Sequence, residues 1–247
     1  MPVLAFYRGD FEQGLPLAEE SVQLARVSAD PRQLTNALNL LGTSLTSNAR
    51  TQDATEAFEE AVRLGRDGGF IADLSSALVG PARELPPGES ARAMAMVDEG
   101  LELATRIRRP QALAAAWEAR GKIAARVGDW PTAPQADLDS AEQHLEVGDV
   151  VLGAASLRLA ARAFRELGDL EAAAAAFGKA DAISDGGFAP VGALDKYAAA
   201  KAALVEELGE QRVAELAARG AAMTLADVVA YLRVEVKRIL AGDGELA

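Results

Sequence analysis

The sequence predicts an all-α protein, an array of about five helical hairpins closed by a C-terminal helical cap. Three observations carry this. Apolar residues recur at helical spacing, and no β-branched alternating run reads as a strand. Helix breakers return at a fixed interval: Asp30-Pro31, Gly69-Phe70, Arg109-Pro110, Asp149-Val150 and Ala189-Pro190, whose second residues stand 39, 40, 40 and 40 positions apart. A Gly-Asp pair followed by an apolar residue divides hairpins at Gly9-Asp10-Phe11, Gly128-Asp129-Trp130 and Gly168-Asp169-Leu170, since both residue types tolerate turn conformations that others resist. A sustained period of this size marks a solenoid, in which each unit contacts its neighbours and stacking supplies the core.

Met1 to Tyr7 reads as the last two turns of a helix that begins before the sequence does, Arg8-Gly9-Asp10 as a turn within a hairpin, and Phe11 to Val27 as its second helix. The first hairpin is thus expected to be truncated. Pro31 to Asn48 and Thr51 to Arg66 form the second hairpin, with proline at the first helical turn, where its missing donor costs nothing. The third, near Ile71 to Ile107, is degenerate: Pro81 is expected to kink or end its first helix, and Pro86-Pro87-Gly88 makes a rigid turn. The fourth spans Pro110 to Glu146. The fifth, Val151 to Ile183, sets Leu157, Ala160, Ala161 and Phe164 on one helix against Ala173, Phe177 and Ala180 on the next, small residues that let the axes approach closely. Residues 1–188 therefore form the repeats and 189–247 the cap. In the cap, Val191 to Leu208 is stopped by Gly209, and Gln211 to Arg219 is stopped by Gly220. Thr224 with Asp227 resembles a capping box opening the last helix, whose apolar stripe is Leu225, Val228, Val229, Leu232, Val236 and Ile239.

The repeats resemble the tetratricopeptide family, with its W-x2-L-G-x2-Y signature followed by A-x3-F and a later alanine. Leu41-Gly42, Ala54, Phe58 and Ala61 match in the second unit. The fourth offers Trp117, Gly121 and Ala133 but Asp137 in place of Phe, and the fifth has Ala161 for Gly, then Phe164, Ala173, Phe177 and Ala180. The resemblance covers Met1 to Ile183 and implies a right-handed α-α superhelix. The tail resembles the end of the helical-repeat region in large bacterial ATP-dependent transcriptional regulators of the LuxR/AfsR type, through Leu208-Gly209-Glu210, Ala218-Arg219-Gly220 and Met223-Thr224-Leu225 before Val228-Val229-Ala230-Tyr231. That family joins an ATPase module and a DNA-binding helix-turn-helix to such repeats. The resemblance implies that both lie in a larger parent protein, since this sequence has no ATPase and no clear helix-turn-helix.

A net charge of −12 argues against general binding to nucleic acid or anionic membranes. Cysteine is absent, which excludes disulfides and thiolate chemistry. No apolar run approaches the ~18 residues of a membrane span, and the N-terminus lacks the basic and apolar regions of a secretory signal, so the expected location is the cytoplasm. The sole histidine, His144, reads as a solvated structural residue near a helix C-terminus, with no second ligand for a metal. No phosphate-cradling glycine loop and no nucleophile-base pair is present, so no cofactor is expected and the sequence makes no case for catalysis.

In a stacked array the first helix of each hairpin lines the concave face. This register places Asn36, Asn39, Thr43 and Ser47 there from the second unit, Lys122 and Arg126 from the fourth, and Arg158, Arg162 and Arg165 from the fifth. A polar, then basic, groove of this kind suits a protein or acidic peptide, because arginine forks match carboxylates. The competing reading is a solvated face balanced by Glu118 before Lys122 and Glu166 after Arg162. The function expected is partner binding or ligand sensing as the repeat module of a transcriptional regulator. A free-standing adaptor is the first alternative, and DNA binding through the last two helices the second. The latter is opposed by the long turn at Ala221 to Thr224 and by basic residues that come late, at Arg233, Lys237 and Arg238. The apolar face left uncovered by a truncated first hairpin would favour a homodimer.

Overall fold

The computed structural model describes residues 11–184 and 193–242. The turn at Gly9-Asp10, the helix expected before it and the Ala189-Pro190 breaker lie outside the described residues. These comprise twelve α-helices, one short 3-10 turn and no strand: α1 Phe11–Ser28, α2 Pro31–Ser47, α3 Thr51–Gly68, α4 Ile71–Glu84, α5 Ser90–Ile107, α6 Pro110–Val127, α7 Thr132–Glu146, α8 Val150–Glu166, α9 Leu170–Ser184, α10 Ala193–Leu208, α11 Glu210–Ala222 and α12 Leu225–Gly242. The protein is an all-α helical repeat. It divides into two compact units, residues 1–119 and 120–247, and the division falls inside α6. The tail helices α10 to α12 belong to the second unit, together with the hairpins before them.

The regular spacing has a finer beat than forty residues. From α1 to α9, positive backbone φ angles occur at Ala29, Ala49, Gly69, Arg108, Gly128, Gly148 and Gly168, one at each helix-to-helix turn but that between α4 and α5. Each such residue ends its helix in the left-handed conformation. At Asp30, Asp129, Asp149 and Asp169 the next carboxylate accepts backbone N–H groups of the following helix, as in Asp30 Oδ1 from Arg32 at 3.0 Å and Asp149 Oδ1 from Leu152 at 3.0 Å. One residue thus stops a helix and its neighbour caps the next. The series skips one turn, in the third hairpin, where Pro87–Glu89 forms the 3-10 turn. Pro81 does not end α4 there: the helix runs on to Glu84. Only a local backbone bond is lost, and buried Ala77, Leu78 and Ala82 hold the segment in place.

In the first unit α1 to α5 pack each on the next, and α2 also meets α4. Phe58 on α3 is the wedge. Its ring carbons lie 2.7 Å from where a Cβ on Gly42 would stand, and they would overlap a Cβ on Gly80 of α4. Two glycines on successive first helices therefore make the slot for one ring. The same spacing recurs in the second unit, where Asp137 takes the place of the ring against Gly121, and where Ala161 and Phe177 are both buried.

In the second unit α9 is the axis, packing on α8, α10, α11 and α12. Its run Ala172 to Ala176 is buried throughout. A Cβ on Gly178 would overlap the backbone of Ala217, and one on Gly220 would overlap the carbonyl of Ala175. The α9–α11 crossing is thus backbone against backbone. This corrects the reading of Gly220 as a helix stop: α11 continues to Ala222, and the glycine is there for contact. The α12 capping box forms, with Thr224 Oγ1 accepting from Asp227 N at 3.1 Å. Five of the six stripe residues, Leu225, Val228, Val229, Leu232 and Val236, are buried, with Ile239 packed at the edge.

Helix α12 returns over α7 and α9. Arg233 bonds Asp139 and Glu142 of α7 at 2.7 Å each, and Arg238 bonds Asp169 at 2.6 Å. Those carboxylates, Glu142 first, hold the Arg233 guanidinium above its ordinary value. Burial pushes the Tyr231 phenol up, although Arg219, donating to it at 2.8 Å, pulls the other way. No described helix is long and apolar enough to cross a membrane.

Two substitutions test these packing arguments. Gly220→Ala lowers the urea-unfolding midpoint by an amount worth about 1–3 kcal/mol. Gly88→Ala, whose Cβ meets nothing within 4 Å, leaves it in place. Ala49 sits at φ +59, a conformation that penalises a Cβ. Ala49→Gly therefore stabilises the chain by about 0.5 kcal/mol, the remainder after glycine's extra freedom in the unfolded state is subtracted.

Candidate functional site

The residues read as one groove fall in both units. On α2, Asn36, Thr43 and Ser47 are exposed and Asn39 is half-buried. Thr43 donates to Asn39 O at 2.9 Å and Ser47 to Thr43 O at 3.1 Å, so both hydroxyls are turned onto their own helix. Asn39 Nδ2 reaches across to Asp73 O of α4 at 2.9 Å, tying the two first helices together. Its Oδ1 is buried and meets no hydrogen-bond partner.

In the second unit Lys122 is half-buried and Arg126 exposed on α6, and each has an interaction of its own, so neither is a free cation. The three arginines of α8 have separate fates. Arg158 is only 5% exposed. It donates to Ala180 O at 3.3 Å, pairs with Asp181 at 3.6 Å, and lies 5.9 Å from the centre of the Tyr197 ring. It does not line an open groove, as the sequence register suggested: it shares a face with Arg162 and Arg165, but α9 and α10 cover its end of that face, and it ties α8 to both. Asp181 also pairs with Lys201 of α10.

Arg162 and Arg165 do line an open groove of about 390 Å³ between α8 and α10, with Glu166, Ala199, Ala200 and Ala203. Arg165 pairs with Glu166 at 3.0 Å and Glu207 at 3.5 Å, while its buried Nε meets no partner. Glu166 thus serves Arg165 rather than Arg162. Among the described residues no hydrogen bond or ion pair engages the Arg162 guanidinium. The groove offers one uncommitted cation beside the paired Arg165 and Glu166, over an alanine floor, which suits a carboxylate attached to a compact apolar body.

His144 is buried, at 6% exposure in the last turn of α7, rather than solvated, because α8 and α12 close over that turn. No group of three or more His, Asp or Glu side chains able to hold a metal occurs among the described residues.

No family model matches the chain, and no curated protein does. Among solved structures it is similar to the crystal structure of BtubC (BKLC) from P. vanneervenii, with a TM-score of 0.59 and 20% identity over 76% of this chain and 80% of that one. The likeness is one of fold, a helical-repeat arrangement.

The burial contrast on α8 is directly measurable. Arg158→Ala destabilises the protein by about 2 kcal/mol, since charged hydrogen bonds and packing are lost together. Arg162→Ala stays within about 0.5 kcal/mol in the same unfolding assay.

Proposed function

We infer that the protein is a non-catalytic binding module, which takes an acidic segment of a protein partner in the groove between α8 and α10. The observation that supports this most directly is the Arg162 guanidinium, which lines an open groove with no hydrogen bond or ion pair of its own, Glu166 being turned to Arg165. A bidentate carboxylate can take the place of part of the hydration of an unpaired guanidinium and adds direction as well as attraction. The tetratricopeptide-like register and the tail's likeness to bacterial ATP-dependent regulators favour a sensing role, with the groove passing partner occupancy to ATPase and DNA-binding domains of a parent protein.

The test is fluorescence anisotropy with a labelled oligoglutamate peptide carrying interspersed leucines. The native chain binds it in a salt-dependent manner, and Arg162→Glu weakens it about tenfold while leaving the fold intact. Equal affinity in the two proteins overturns the groove. The regulatory setting is tested separately by immunoblot of source cells: a band far above 25.8 kDa supports the module reading. A band at that mass favours a free-standing adaptor using the same groove.

A further inference from the structure

The turn between α5 and α6 departs from its neighbours at both of its key positions. At Gly128-Asp129, Gly148-Asp149 and Gly168-Asp169 a glycine takes the left-handed conformation and the aspartate after it caps the next helix. At Asp30-Pro31 a capping aspartate stands directly before the proline that opens α2. The α5–α6 turn reads Arg106-Ile107-Arg108-Arg109-Pro110. Arg108 takes the left-handed position at φ +50, where a Cβ is unfavourable. Arg109 stands before Pro110, in the place of the capping carboxylate. A cation there also opposes the partial positive charge of a helix N-terminus. A Gly-Asp pair would serve the fold better at both positions, and local departures of this kind are expected where residues serve something else.

The three arginine side chains do not hold the structure together either. Arg106, Arg108 and Arg109 are exposed, and no hydrogen bond or ion pair engages their guanidiniums among the described residues. Elsewhere arginines are tied in, as Arg26 is to Glu60 at 3.0 Å and Arg66 to Glu99 at 2.7 Å. Of the described arginines, only Arg63 and Arg162 share the unpaired state. The C-terminus of α5 favours a cation, which accounts in part for Arg106 and Arg108. It does not account for Arg109, nor for a side chain at a position that glycine fills in four other turns. Three uncommitted guanidiniums thus stand within four positions of a strongly acidic chain.

We propose that this turn is a docking surface for an acidic segment of a partner protein, a run of Asp and Glu side chains whose carboxylates meet the guanidiniums of Arg106, Arg108 and Arg109. Arginine forks match carboxylates in geometry as well as charge, and adjacent forks read several acidic residues in a row, where Arg162 takes one beside an apolar floor. A continuous polyanion is disfavoured. Three cations on a chain of net charge −12 do not offset its repulsion of a nucleic acid or an anionic membrane, whereas a short acidic run needs only local attraction. The surface lies within the first unit and stands whether or not the α8–α10 groove takes a ligand.

Fluorescence anisotropy with labelled octaglutamate tests this, in the Arg162→Glu background so that the groove does not contribute. The probe binds saturably, with Kd below about 1 mM, and more weakly as salt rises. Arg108→Gly combined with Arg109→Asp restores the Gly-Asp turn, so it raises the urea-unfolding midpoint and at the same time weakens binding at least about tenfold. Lys237→Glu, an exposed charge reversal in the other unit, changes binding by less than about twofold, which separates the local patch from overall charge. Absence of saturable binding up to about 1 mM overturns the proposal, as does equal affinity in the Gly-Asp variant. A lower unfolding midpoint in that variant also overturns it, because the arginines would then serve the fold. Tighter binding of a DNA oligonucleotide of equal charge overturns the assignment to a protein partner.

Discussion

Helix axes come no closer than the side chains between them allow, and most of this structure follows from how little stands between its helices. Gly42 and Gly80 leave room for one phenyl ring, and Gly178 and Gly220 leave room for nothing but backbone. Where the partner is a ring, the wedge fixes the distance between three consecutive helices. Where it is a carbonyl, the crossing is set by main-chain contact and admits no larger residue. Alanine does the rest, giving a core of many small contacts in which each position has little tolerance for added volume.

Close packing also decides which polar groups are structural and which are available. Arg158, Arg162 and Arg165 share one helix and one chemistry. The first is drawn inward to a carbonyl, a carboxylate and a ring, the third is shared between two glutamates, and the second is left at the edge of an open groove. The open groove beside Arg162 lies between α8 and α10, the first helices of neighbouring hairpins.

Much of the fold was legible because turns leave a local mark. Breakers at Pro31, Phe70, Pro110 and Val150 gave the hairpins, and the Thr224–Asp227 pair gave the start of α12. The twenty-residue beat was harder to see, since Ala29, Ala49 and Arg108 adopt the left-handed turn conformation without being glycine, and nothing in their chemistry announces it. Gly220 was misread because a glycine that ends a helix and a glycine that admits another helix look alike until the partner, here Ala175, is known. The same limit applies to the groove. Register says which face a residue is on, but not whether the next helix covers that face, and so Arg158 and Arg162 looked equivalent.

The return of α12 across α7 and α9 changes how the second unit comes apart. An open row of hairpins can fray from its end, losing one hairpin at a time. Here Arg233 grips carboxylates 91 and 94 residues earlier in the chain, and the stripe from Leu225 to Val236 covers two hairpins at once. The helix acts as a buckle rather than a further link. Releasing it bares both hairpins together, which couples the loss of one to the loss of the other.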